Sequence, residues 1–317
     1  MSKKMKFHMR KQQNNNATSK GGLHRILFFH LNHETVKTPL LVVLLLFFSS
    51  QNLLAQWFDD PVEEIDNAYI SAKYRLTWVE DTNHIQQKSQ EVFLLLLGSE
   101  TSRFESYNHH RLYSIGRQKQ QNGELAQWLQ NELFNTNYDD LFYYKSSYRI
   151  YKNFPKGKIT FREYLPFTGC FQYQEDLNTF CWNIECDTMK LNGYTVQKAT
   201  TYYSGRQWVA WFTEEVPFSD GPYKFNGLPG LIVKISDSQK HYCFELLYIE
   251  TSQKDEKIEF VIENCMKTDK KDFFDLTKKT HERLISNGIE LDDDIELKKR
   301  ISQYYQFRNN PIELDWK

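Results

Sequence analysis

The longest apolar run in the chain is Leu40–Phe48, nine residues, where crossing a bilayer as a helix takes about 20. No cysteine precedes Cys170, so no acceptor for a bacterial lipid anchor lies near the start. The chain also lacks a P-loop, a GxGxxG, a GxSxG elbow and a CxxC pair, the local patterns that cradle phosphates, expose a serine or bind zinc. Acid is nearly missing from residues 1–55, which hold Glu34 against eight Lys or Arg.

What remains has the composition of a folded protein: 40% apolar, 15% aromatic and 26% charged over 317 residues. Of 40 basic and 41 acidic residues the first 55 take eight and one, so residues 56–317 carry a net charge of −8. An acidic domain repels phosphate, which argues against a nucleic-acid partner.

The basic stretch, the apolar core Leu40–Phe48 and the polar Ser49–Asn52 follow the order of a signal peptide, with cleavage expected near Ala55. The expectation is an exported chain, periplasmic or secreted, without stable membrane insertion. Residues 1–55 form a long basic leader, and 56–317 form one β-rich domain. Export would place Cys170, Cys181, Cys186, Cys243 and Cys265 in an oxidising compartment. If Lys240–Thr251 and Glu256–Asn264 paired as a hairpin, Cys243 would lie opposite Cys265.

Alternation of Ile70, Ala72, Tyr74, Leu76 and Trp78 with polar residues predicts a half-buried strand, and Glu91–Leu97 a second, more continuously apolar one. The Gln-rich stretch from Ser99 to about Leu133 reads as helix, with Leu125, Trp128, Leu129 and Leu133 on one face. From Tyr143 to Ile262 short aromatic and β-branched runs recur between turn residues, the pattern of antiparallel strands. Asp272–Asn287 and Asp292–Gln306 read as helices. The fold class expected is α+β, a mostly antiparallel curved β-sheet with flanking helices.

The most distinctive segment is Glu214–Asp237, EEVPFSDGPYKFNGLPGLIVKISD. Leu228-Pro229-Gly230-Leu231 predicts a type II turn launching a strand, since Pro presets φ and Gly supplies a positive one. With Gly227-Leu228-Pro229-Gly230-Leu231-Ile232 complete, the chain resembles the GLPGLI family of Bacteroidota. Trp182 and Ile184, Gly193-Tyr194, Lys198-Ala199, Gly205-Arg206, Ala210-Trp211-Phe212-Thr213, Leu94–Phe104 and Asn309-Asn310-Pro311-Ile312-Glu313 extend the resemblance over most of residues 56–317. It implies a Gram-negative exported setting and a β-rich fold, with no catalytic residue to carry over.

The six motif residues are explained by turn and strand geometry and are read as structural. Trp182, Trp208 and Trp211 are read as core, with a cleft for an apolar ligand as the alternative. His281-Glu282-Arg283-Leu284-Ile285 misses the second zinc histidine of HExxH, and His109-His110 is read as a solvated helix face. The pairs Glu63-Glu64, Asp139-Asp140 and Glu214-Glu215 are read as solvated charges. No catalytic residue, metal or cofactor is expected. Three readings follow: a non-catalytic binder of an apolar ligand or envelope protein, a hydrolase of peptide or glycan with a dispersed site, or a structural component of an outer-membrane assembly. A carboxylate pair converging in a recess would favour the second.

Overall fold

The computed structural model describes residues 58, 60–134, 144–165, 168–252, 256–287 and 295–315. The leader with Ala55, and the pair Asp139-Asp140, lie outside them.

Twelve strands form one sheet in the order β14-β7-β6-β5-β4-β3-β2-β12-β11-β10-β9-β8. They are β2 (Ile70–Val79), β3 (Lys88–Leu97), β4 (Ser102–Ser106), β5 (Arg149–Lys152), β6 (Lys158–Leu165), β7 (Gly169–Asp176), β8 (Asn183–Leu191), β9 (Tyr194–Tyr203), β10 (Arg206–Thr213), β11 (Leu231–Asp237), β12 (Tyr242–Thr251) and β14 (Met266–Lys267). All neighbours run antiparallel except β14, which lies parallel to β7. Two meanders, β2 to β7 and β8 to β12, meet at one seam, where Trp78 faces Tyr242 and Ile70 faces Thr251. Strands β1 (Val62–Asn67) and β13 (Lys257–Val261) pair with each other as a separate ribbon.

Side chains alternate across a strand, and the inner face of the curved sheet collects the apolar set. Ala72, Tyr74, Leu76 and Trp78 of β2 lie there as the alternation predicts, joined by Phe93, Leu95 and Leu97, Phe104, Ile150, Phe161, Tyr173, Trp208, Phe212, Val233 and Phe244. Phe93 stacks on Phe104 at 5.0 Å and Phe161 on Tyr173 at 4.9 Å.

Helices α1 (Tyr107–Gln121), α2 (Leu125–Phe134), α3 (Lys270–Asn287) and α4 (Ile295–Gln306) flank the sheet. Phe273 of α3 packs on Phe161 at 5.6 Å and on Tyr173 at 5.2 Å, and Leu284 meets Ile301 and Tyr305 of α4. Among the described residues no helix is long and apolar enough to cross a membrane.

Three expectations are corrected. The stretch from Ser99 opens as strand β4, because Ser102–Ser106 is sealed between β3 and β5 and tertiary burial overrides its polarity. Ser106 then caps α1, accepting from the His109 backbone N–H at 3.4 Å. The Lys240–Thr251 hairpin does not form, since both edges of β12 are taken by β2 and β11 and β13 turns to β1. Cys265 is therefore bonded to Cys170, while Cys243, Cys181 and Cys186 are free thiols. Nor is His109-His110 a solvated face. Their side chains, 14% and 21% exposed, converge with Arg103 and Arg149 on the buried Glu105. Burial alone would raise the Glu105 pKa, but Arg103, His110 and Arg149 hold it well below the usual carboxylate range.

Candidate functional site

The motif segment, residues 214–230, runs between β10 and β11 and folds into the concave face of the sheet. Tyr223, Phe225 and Leu228 join the inner core cluster, and Phe225 meets Trp208 at 4.7 Å. Burying each such side chain stabilises by roughly 1.5–3 kcal/mol, so the segment is a permanent filling of the concavity rather than a lid.

Its backbone differs from the expected type II turn. The Gly230 N–H donates to the Leu228 carbonyl at 2.8 Å, a three-residue turn about Pro229, while the Leu231 N–H reaches back to the Val216 carbonyl at 3.1 Å. Gly230 is required by close approach: a Cβ there would stand 2.0 Å from the Thr213 carbonyl oxygen. Gly227 takes φ 91°, and its neighbour Asn226 accepts a hydrogen bond at 2.8 Å from the indole of Trp182 through its carbonyl. Leu228, Leu231 and Ile232 are all buried. Each motif residue in contact with the core has a packing or turn reason.

Two buried lysines fasten this filling. Lys224 is wholly inaccessible and donates to Glu313 at 2.5 Å, to the Tyr173 hydroxyl at 2.8 Å and to Glu175. Lys270 of α3 bridges the same two carboxylates, each at 2.7 Å, and the Tyr223 hydroxyl donates to Glu313 at 2.6 Å. Burial would raise the Glu313 pKa, yet the two lysines bring it to about 2. The second, Lys152, donates to Asp220 and to the Gly221 carbonyl at 2.5 Å, and Ser102 donates to Asp220 at 2.6 Å. These are anchors, with every charge answered by an opposite one.

A different arrangement lies at one end of the same face. Glu91 shares its side of β3 with Phe93, and Glu163 shares its side of β6 with Phe161. Tyr148 bridges the two strands, stacked 5.7 Å from Phe93 and 5.6 Å from Phe161. Because β3 and β6 run in opposite directions, the step from Phe93 back to Glu91 and the step from Phe161 on to Glu163 lead to the same end of the face.

Beside them Lys145 donates to Glu80 at 2.8 Å and to Ser89 at 2.5 Å, and Arg308 pairs with Glu80 at 3.4 Å. Lys145, Glu80 and Arg308 keep about a fifth of their side-chain surface open, and Glu91 and Glu163 are also only half-buried. Burial nonetheless pushes both carboxyls up to about 7, against hydrogen bonds from Ser106 and Ser146 to Glu91 and the charges of Arg308 and Lys224 near Glu163. Both carboxyls are thus half-buried and strongly desolvated at one end of the inner face. Glu91 Oε2 is buried without a hydrogen-bond partner.

Other residues singled out by sequence have structural surroundings. Trp208 is core, and Trp182 and Trp211 pack against it. The His281 ring lies tilted against Tyr305, centroids 4.8 Å apart, and burial lowers its pKa to about 4. Glu63-Glu64 and Glu214-Glu215 are exposed. Cys170, Glu263 and Cys265 bring three donor atoms within 4.8 Å, but the two sulfurs are joined to each other, and a disulfide sulfur is not a thiolate ligand.

A family described as a protein of unknown function (Porph_ging) matches residues 201–234, a span that contains the six-residue motif. No curated protein matches the chain. Two solved structures of PNGF-II, in P21 and C2 crystal forms, align over 68% of this chain at 13% identity with a TM-score of 0.44. The alignment covers 34% and 33% of those chains, so this chain spans about a third of their length.

Proposed function

We propose that the protein is a non-catalytic exported binding protein of the GLPGLI type from a Gram-negative envelope, its leader cleaved near Ala55 and residues 56–317 forming one periplasmic or secreted domain. The six motif residues serve the fold, fixing the segment that fills the concave face. What supports the binding reading is the pair of half-buried carboxyls Glu91 and Glu163 on either side of Tyr148, both pushed up to about 7 by burial. An apolar ligand on the concave face itself would have to displace Tyr223, Phe225 and Leu228, so a small ligand is better seated at the end of the face beside Glu91 and Glu163. An envelope protein would meet the outside of the sheet.

Purification from the native envelope, followed by mass spectrometry of extracted small molecules and co-purifying proteins, tests this reading. Recovery of a stoichiometric ligand or an enriched partner supports it, and recovery of neither rejects it. One observation favours a hydrolase as the second reading: both carboxyls titrate near neutrality, the range suited to general acid and base work. Turnover of labelled peptide or glycan that disappears in both Glu91→Gln and Glu163→Gln would replace the first reading by the second.

A further inference from the structure

We propose that the Cys170–Cys265 link is the oxidised state of a metal site: once reduced, the two thiolates and Glu263 hold a divalent ion of the zinc class. The site stands apart from the binding reading above. Its three donor atoms already lie within 4.8 Å of one another. Glu263 Oε2 is 3.7 Å from the sulfur of Cys170 and 3.7 Å from that of Cys265. A disulfide carries no hydrogen, so the closed bond donates nothing to this oxygen.

Tetrahedral zinc asks for these spacings. With Zn–S bonds of about 2.3 Å and Zn–O bonds of about 2.0–2.2 Å, an oxygen and a sulfur ligand stand about 3.5–3.6 Å apart and two sulfurs about 3.8 Å. The carboxylate is therefore near ligand distance from both sulfurs, and only the sulfurs must part.

The frame does not depend on the bond. Cys170 is held in β7 opposite Tyr164 of β6. Cys265 adjoins β14, whose Met266 pairs with Phe171, and the Thr268 N–H donates to the Gln172 carbonyl at 2.9 Å. Extending that parallel register by one residue sets Cys265 beside Cys170, their Cα atoms 4.5 Å apart, close to one strand spacing. Arg149 donates to the other oxygen of Glu263, Oε1, at 2.9 Å, and so orients the carboxylate as the outer partners of metal ligands do. Cys265 is the more exposed of the two cysteines and has exposed Asn264 and Met266 on either side, at the edge of the sheet.

A dithiol reductant passes two electrons and two protons to the cysteines, breaking the Sγ–Sγ bond while its own two sulfurs join. The metal then displaces both protons to solvent and forms two metal–sulfur bonds, with Glu263 Oε2 as third ligand and water as fourth. The metal dithiolate is neutral, so Glu263 stays paired with Arg149. Thiolate donors select zinc over magnesium or calcium.

The test uses the purified protein carrying Cys181→Ser, Cys186→Ser and Cys243→Ser, so that the free thiols cannot bind metal. A phosphine reduces the link, leaving as its oxide with an oxygen from water, and the protein is dialysed against micromolar zinc. The reduced form should hold one zinc per chain by elemental analysis and the oxidised form none. Zinc should raise the Tm of the reduced form and leave that of the oxidised form unchanged, and cadmium in its place should show the thiolate charge-transfer band in the ultraviolet. Glu263→Gln should weaken zinc by about tenfold or more, the Tm of its oxidised form confirming that the variant folds. A link that resists the phosphine in the folded protein, a reduced form that takes up no zinc, equal zinc on the oxidised form, or an affinity indifferent to Glu263→Gln each overturns the proposal.

Discussion

Replacing Glu313 by glutamine keeps the acceptor for the Tyr223 hydroxyl but leaves two lysines, Lys224 and Lys270, sharing the single carboxylate of Glu175. Lys224 has no accessible surface, so water cannot take over the lost charge. Breaking a buried pair in this way costs about 3–5 kcal/mol, which at about 2–4 °C per kcal/mol for a domain of this size is a fall in Tm of about 6–20 °C. Urea unfolding would read it as a lower midpoint at unchanged slope. The double variant Glu313→Gln with Lys224→Met removes one charge of each sign and should recover most of the loss.

The pH dependence has a definite sign. The folded Glu313 pKa, about 2, lies below the ordinary value of 4.5. Its contribution is therefore complete above about pH 5 and fades as the pH falls toward 2, and the single variant should lack that part of the acid transition. A loss under about 1 kcal/mol in the single variant, or a double variant as weak as the single, would refute the view that these charges hold the filling in place.

Gly230→Ala, whose Cβ would meet the Thr213 carbonyl oxygen at 2.0 Å, should fail to fold or lose most of its stability. Gly123→Ala, at φ 71° with nothing within 4 Å, should cost only about 1 kcal/mol in urea titration. Replacing Cys170 and Cys265 together by alanine opens a link between residues 95 apart and should cost about 4–5 kcal/mol by the chain-entropy relation, read from urea midpoints. Glu163 acts oppositely to Glu313: its pKa is raised to about 7. Its stabilising share is complete below about pH 4.5 and lost as the pH rises through 7, so Glu163→Gln should gain on the wild type by up to about 2–3 kcal/mol between pH 5 and pH 8.

Much of the architecture was readable because alternation is a direct consequence of the pleat. Strand β2 announced itself through Ala72, Tyr74, Leu76 and Trp78, and the α+β class with a curved antiparallel sheet followed from the repeated short strands. Strand β4 did not, because Ser102, Arg103, Glu105 and Ser106 are polar residues buried by partners distant in sequence. The convergence of Glu91 and Glu163 on one end of the face was hidden for a related reason. Glu91 opens a run that is apolar on both faces from Phe93 to Leu97, so its phase cannot be read locally. Glu163 did leave a trace: it occupies the apolar side of the alternation Ile159, Phe161, Leu165, where a charge is out of place. Glu313 and Lys224 lie far apart in the chain, and no local pattern joins them.

The seam between β2 and β12 bears on how the chain is made. Every other pairing within the two meanders joins strands adjacent in sequence, so each half can zip up from local hairpins while the other is still missing. β2 appears early but waits for β12, and until then one long edge of the sheet stays open. The same delay holds the motif segment, β11 and Glu313, all of which arrive late. A protein threaded through a membrane from its N-terminus would thus emerge with an unpaired edge at Ile70–Val79, the kind of surface on which chains pair with one another. For a chain delivered in that way, chaperoning would matter most for this first half, until the seam closes.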